Sequence, residues 1–449
     1  MNRGKKTARS KGAAAIFAAA LVLLGTGGAI PAAAGEGKGT EVLPLSDALR
    51  IAYEKNRDIQ KAFEYRKLVE GRYVEERAAA FPQVTVSAYA SRSHDESQKA
   101  FGGGLIPVGQ DSRGVEAGLS QALYTWGQVG AAVRAAKIGL ATADDQLRLF
   151  RQAAARDVTA AFYDVLLARE LSGIATQNLE QKLRHRDEAR RKYAAGTATD
   201  YDVLAAEVAV ENARPDVIRT ENLIRISRER LRFLLGRDGR EVDVIGTLVA
   251  PVAPYPSFEE GREVAVRNRP DLSDLRHRIG VAGELVTIVN AYDKPRLDLQ
   301  AKYGWRELDV GESEADGNVW TAGLFLTYPV FDGLRTRGKV AQAKSDERTL
   351  RIDEAKLLDS IALEVRGAVD AVRESGEIVK ALSGTVDQAE RLLTMAEKGF
   401  EFGVKTRLDV DDAQLNLTQA KGNLARARRD YLVAQVTLQY VIGTLEESG

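Results

Sequence analysis

Two periodicities run through the chain. Apolar residues recur every seventh position at Val210, Val217, Ile224 and Leu231, and again at Leu417, Leu424, Tyr431, Leu438 and Leu445. A sustained period of seven sets a narrow apolar seam against a neighbouring helix, as in a coiled coil; an ordinary bundle core presents the same seam. The surrounding stretches lack helix breakers. No proline lies between Pro107 and Pro215 or after Pro329, and Ala, Leu, Arg, Glu, Lys and Gln dominate. From about Val133 to Ala189 the pattern allows one helix of roughly 57 residues, on the order of 85 Å long. Pro215 and its counterpart Gly422 are poor interior residues, so a bend or a change of packing partner is expected at their level.

The second periodicity is two. In "RLDLQAKYGWREL" (296–308), Leu297, Leu299, Ala301, Tyr303 and Trp305 alternate with Asp298, Gln300, Lys302 and Arg306. Together with "NVWTAGLFLTYPVF" (318–331) it predicts a hairpin over 296–331, turning at the acidic "DVGESEADG". "QVTVSAYAS" (83–91) and "GVEAGLSQALY" (114–124) predict another over 83–124, around "FGGGLIPVGQDS". Such alternation suits a barrel wall between lipid and water, which about 9 to 11 residues cross. A soluble hairpin with one buried face alternates in the same way. Tyr89, Tyr303, Trp305, Trp320 and Tyr328 are candidates for interfacial girdles.

The two halves repeat one another. "GTATDYDVLAAE" (196–207) aligns without a gap with "GVKTRLDVDDAQ" (403–414), and "ALYTWGQVGAAVRAAK" (122–137) lies over "PVFDGLRTRGKVAQAK" (329–344) at the same offset. "NRDI" at 56 matches "NRPDL" at 268. The expected organisation is a first repeat over 35–249, with its long helices at 130–236. A Pro-rich linker, 250–257, leads to a second repeat over 258–449, with long helices at 336–443.

Composition then narrows the class. Residues 1–34 hold five basic residues and no acid, an apolar run "AAAIFAAALVLL" and a small-residue exit, which together read as a signal peptide. The whole chain carries 64 basic and 64 acidic residues, so removing the signal leaves no basic surplus to suit nucleic acid. Without cysteine there is no disulfide framework, no thiolate metal site and no lipid-bearing cysteine. No later apolar run reaches the roughly 18 residues of a spanning helix, so a membrane would be crossed only as a closed barrel. Two hairpins give four strands, and the smallest membrane barrels have about eight, so other copies must complete the wall. His94, His185 and His277 lie apart at no metal-ligand spacing, and the glycines lack the setting of a phosphate loop. Neither catalysis, a metal nor a cofactor is expected.

The paired "G-x-x-x-x-x-D-V" tips, the run from each to a second glycine (196 to 236, 403 to 443), the "ARRDYLVAQVTLQYVIGTL" ending, "NRPDL" and the aligned hairpins together resemble the outer-membrane efflux protein family, the TolC-type channel-tunnels. The resemblance covers nearly all of the mature chain. It implies an α+β membrane protein with long antiparallel coiled-coil helices forming a periplasmic α-barrel. Two β-hairpins per chain would join a shared transmembrane β-barrel set in outer-membrane lipid. It further implies a homotrimer serving as the passive exit duct of a tripartite efflux pump or type I secretion system. Its partners would be a periplasmic adaptor and an inner-membrane pump or ABC transporter. The alternative is a periplasmic coiled-coil adaptor or scaffold that never enters a bilayer; the two strand pairs and the full duplication favour the duct.

The same resemblance assigns roles at the tips. Asp409 and Asp412 match entrance acids of the family; three apart on a helix, they share a face. "TRLD" is also a capping pattern, so Asp409 reads equally as a cap. Asp412 lies beyond the capping positions and opposite Ala205, which favours the pore. Asp411 has no match and reads as solvated. Asp202 and Lys405 fall where the family latches its entrance shut, whereas Phe400 and Tyr201 depart from its Tyr and Thr. Gly196, Thr197, Gly403 and Val404 fall where the family meets its adaptor, and the glycines also suit plain turn geometry.

Overall fold

The duplicated plan is built twice in the computed structural model, which describes residues 41–96, 109–237, 241–249, 254–310 and 313–445. The expected signal peptide and residues 250–253 of the linker lie outside them. The first half runs β1 (Glu41–Leu43), α1 (Leu45–Lys55), α2 (Arg57–Ala78), β2 (Gln83–His94), β3 (Gly109–Tyr124), α3 (Gln128–Ala194), α4 (Asp200–Leu234) and β4 (Val242–Val244). The second runs α5 (Phe258–Asn268), α6 (Pro270–Asn290), β5 (Arg296–Val310), β6 (Ser313–Thr327), α7 (Arg335–Glu401) and α8 (Arg407–Val441).

Helices α3 and α7 are each 67 residues long and α4 and α8 each 35; at about 1.5 Å per residue the long pair reach roughly 100 Å. Pro215 lies inside α4 on its exposed side, and Gly422 is buried inside α8, without ending either helix. The heptad seams point inward: Leu417, Leu424, Tyr431 and Leu438 are buried, as are Val210 and Leu231. Within each half the long helix packs on its returning partner, α3 on α4 and α7 on α8. Helix α3 also packs against α2, α6 and α8. The short β1 pairs in parallel with β4 and closes the core formed by Val158, Phe162, Val165, Leu231 and Leu235.

Strands β2, β3, β5 and β6 form one antiparallel sheet in that order. Its register sets Val115 opposite Trp305, Ala117 opposite Tyr303 and Leu119 opposite Ala301, with Trp320 and Leu324 continuing the row on β6. Val84 and Val86 extend it on β2. Over this span the face is apolar, and it stays uncovered: Val86 is 74%, Trp320 73% and Leu326 69% exposed; beyond Trp305 it becomes charged, with Arg113 opposite Glu307 and Asp309 opposite Glu314. The opposite face carries Thr85, Glu116, Gln300, Lys302 and Arg306. Tyr89 also lies on this polar face and not in a girdle, because its register partner is Gly114 and its hydroxyl accepts from Arg306 Nε at 3.1 Å. The first hairpin runs from Gln83 to Tyr124; the second strand of the other ends at Thr327, so Tyr328 follows the strand. The acidic stretch 309–317 is mostly strand, since cross-strand pairing extends to Val310 opposite Ser313.

Candidate functional site

Both helical hairpins end in the same device. At the first tip, Gly196 adopts φ +73°, and Gly196 N and Thr197 N donate to Tyr193 O and Lys192 O, satisfying the last carbonyls of α3. At the second, Gly403 also has φ +73°, with Gly403 N donating to Phe400 O and Val404 N to Gly399 O. Each returning helix then opens with a reciprocal cap. Thr199 N and Oγ1 donate to Asp202 Oδ2 at 2.8 and 2.7 Å, while Asp202 N donates to Thr199 Oγ1. Thr406 and Asp409 repeat this at 2.8 and 2.7 Å. The donated backbone N–H of each threonine, joined by its hydroxyl, holds both carboxyls below the usual carboxylate range; Lys405, 3.5 Å away, adds to the effect at Asp409.

Asp411 is not simply solvated. It accepts from Lys182 of α3 at 2.8 Å and from Arg407 at 3.4 Å, tying the second hairpin to the first. Arg407 also contacts His185 of α3 and lies over the Phe400 ring, 5.9 Å from its centroid, while Lys192 lies over the same ring at 5.4 Å. Farther from the tips, Arg429 bonds Asp164 at 2.8 Å. Asp412 faces neither neighbour: Val410 and Ala413 pack on α7, Asp411 turns to α3, and Asp412 stands exposed on the free side. Tyr201 and Val404 project from the tips, each 78% exposed.

The outer membrane efflux protein model matches the chain twice, over residues 48–237 and 262–444. The chain belongs to the outer membrane efflux protein family. Among its relatives are nodulation protein T of Rhizobium leguminosarum bv. trifolii, 25% identical over 89% of this chain and 85% of that one. The alkaline protease secretion protein AprF of Pseudomonas aeruginosa is 25% identical over 90% and 85%. The solved CmeC outer membrane channel of Campylobacter jejuni superposes with a TM-score of 0.79 at 17% identity, over 90% of this chain and 87% of that one. The protein is thus an outer-membrane channel with a periplasmic helical extension, the exit duct of a tripartite efflux or type I secretion system. The adaptor alternative is set aside.

In this outer membrane efflux protein the residues expected at the latch are engaged within the chain. Asp202 is taken by Thr199 and Lys405 by Asp409, while Phe400, lacking a hydroxyl, sits between two cations. Gly399, buried beneath the turn, lets the Lys405 stem cross, since a Cβ there would lie 2.5 Å from Lys405 Cγ. Sequence reasoning missed the Lys182–Asp411 pair, which joins residues far apart in the chain and leaves no local pattern. It also missed Glu307, Asp309 and Glu314, brought within 4.8 Å of one another at the outer end of the sheet by cross-strand register.

Proposed function

We propose that three copies of this chain close head to tail into one duct from a periplasmic entrance to the outside. The observation that carries this is the matching of free edges. On one side the protomer ends in β2, α2 and α4; on the other it ends in β6 and α7. Unlike edges on opposite sides form a heterologous contact that closes by rotation, and three four-stranded sheets give about twelve strands, wide enough for a passage. The free side of α4 bears exposed Leu204, Val208, Ile218 and Phe233, and that of α7 bears Leu363, Leu392 and Met395, apolar surface that a neighbouring copy would cover.

At the entrance, Asp412 and the outer oxygen of Asp409 gather from three copies into a ring that favours cations. Gly196, Thr197, Gly403 and Val404 present the turns to a periplasmic adaptor, with Tyr201 beside them, and an inner-membrane transporter supplies the energy. Asp202 and Lys405 hold the shape of the tips, and the closed state is kept by Phe400 between Lys192 and Arg407. The test is native mass in detergent followed by bilayer recording. A trimer whose cation preference and block by multivalent cations weaken in the Asp409→Asn, Asp412→Asn double variant supports the reading. A detergent-independent monomer refutes it, and a trimer whose double variant conducts like the parent removes the acids from the pore.

A further inference from the structure

The polar face of the sheet carries three basic side chains, and two of them are paired. Arg296 bonds Asp298 at 2.9 Å, and Lys302 lies 3.4 Å from Glu116. Arg306 has no carboxylate partner among the described residues; its Nε is held by the Tyr89 hydroxyl at 3.1 Å, which orients the guanidinium and leaves its outer N–H groups free. The surroundings are unusual for a strand interior. The residues opposite Arg306 on the two neighbouring strands are Gly114 and Gly317, and two positions back along its own strand lies Gly304. Three of its four nearest neighbours on that face therefore have no side chain.

Close approach requires two of these glycines. A Cβ on Gly114 would lie 3.0 Å from both the Tyr89 ring and Trp305 O, so glycine lets the ring lie flat on the wall. A Cβ on Gly304 would lie 2.5 Å from Val115 O. Gly317 is different: nothing lies within 4 Å of its Cβ position, so the space beside Arg306 is open.

We propose that Arg306, Tyr89 and the clearing at Gly317 form a binding subsite on the barrel wall for an organic anion. A carboxylate, phosphate or sulfonate takes the free guanidinium fork, and a flat apolar body lies over Gly317, across Arg306 from the Tyr89 ring. The subsite rests on the duct reading, which turns this face to the lumen and repeats it around the barrel. Arg306 lies in the outer half of β5, so an anion-favouring belt near the exit faces a cation-favouring ring at the entrance. A solute bearing both charges would meet its counter-charge in turn.

The test is single-channel recording with naphthalene-1,5-disulfonate added on the extracellular side. The parent channel is blocked; Arg306→Gln raises the blocking concentration roughly tenfold or more, and Arg306→Lys, which keeps charge without the fork, falls between. Tyr89→Phe weakens block by freeing the guanidinium, and Gly317→Leu weakens it by filling the clearing while keeping every charge. Lys302→Gln removes a paired cation and leaves block in place. A conducting parent that the disulfonate does not block, or equal block in parent and Arg306→Gln channels, overturns the subsite while the duct stands. A parent that forms no channel overturns both.

Discussion

Gly236 and Gly443 end the returning helices of the two halves, and replacing either with alanine should loosen the joint between that helix and its short helix pair. Both glycines are left-handed, with φ +63° and +73°. An L residue there costs about 1–2 kcal/mol. Space adds a second cost. A Cβ on Gly236 would lie 2.1 Å from Lys55 O, and one on Gly443 2.8 Å from Asn268 C, so backbone and not a flexible side chain would have to move. Overpacking of that kind costs about 1–3 kcal/mol. The movement would also strain the bonds made there: Asn56 Nδ2 to Leu234 O at 2.8 Å, and Arg269 to Asp271 and Glu364 at 2.6 and 2.5 Å. Gly196 and Gly403 are the controls, since both have φ +73° with nothing within 4 Å of a Cβ. Helix melting followed by circular dichroism in detergent, at one scan rate, should show Gly236→Ala and Gly443→Ala falling at least twice as far as Gly196→Ala and Gly403→Ala. Equal losses would mean that the close approach to the α1–α2 and α5–α6 corners is not structural.

Val86→Arg should cost about 2–4 kcal/mol per copy by placing a charge on the lipid face, whereas Thr85→Arg on the lumen face should assemble; heat-modifiable migration of outer-membrane fractions reads the difference, and equal assembly would refute the assignment of faces. The Asp409 carboxyl, held low by Thr406, keeps its cap above the unfolded carboxylate range and loses it only as pH falls through its depressed native value. Amide exchange at the start of α8, corrected for intrinsic rates, should therefore stay protected through mild acid and open only below it; Asp409→Asn should lose protection already at neutral pH and show no acid transition.

Much of this was legible because it was periodic. Heptads located the buried seams, alternation located the two faces of the sheet, and the duplication carried each assignment from one half to the other. Residues whose surroundings are set by distant chain were not legible. Tyr89 reads as a girdle aromatic until its register partner is seen to be Gly114, and Asp411 reads as solvated until α3 brings Lys182 beside it. Even the repeat misled by one position. "NRDI" and "NRPDL" align asparagine with asparagine, yet the corner role of Asn56 passes to Arg269, because Pro270 starts α6 and moves the cap position on by one. Asn56 caps α2 and reaches Leu234 O, while Arg269 reaches Val441 O and adds carboxylate partners.

The two halves share a sequence plan but not an environment, and that difference shapes how α8 is held. Helix α8 has long helices on two sides, α7 and α3, whereas α4 has only α3 beside it among the described long helices, so many more positions of α8 are buried. The two contacts of α8 differ in kind. Toward α7 it presents Val410, Ala413, Leu417 and Leu438, all buried in apolar clusters. Toward α3 it presents charge at Asp411 to Lys182, Arg407 to His185, Arg428 to Glu170 and Arg429 to Asp164, and farther from the tip Leu432 joins the apolar cluster of Val158, Phe162 and Val165. Burial of apolar surface contributes about 25 cal/mol per Å², whereas part-exposed ion pairs contribute about 0–1 kcal/mol each. Nearer the tips than Leu432, the α7–α8 pair is therefore a firm body held to α3 by polar contacts that part and re-form at little cost. Because Asp409 and Asp412 stand on that body, displacement along the polar seam would move these two carboxylates together and leave the caps that shape the tips intact.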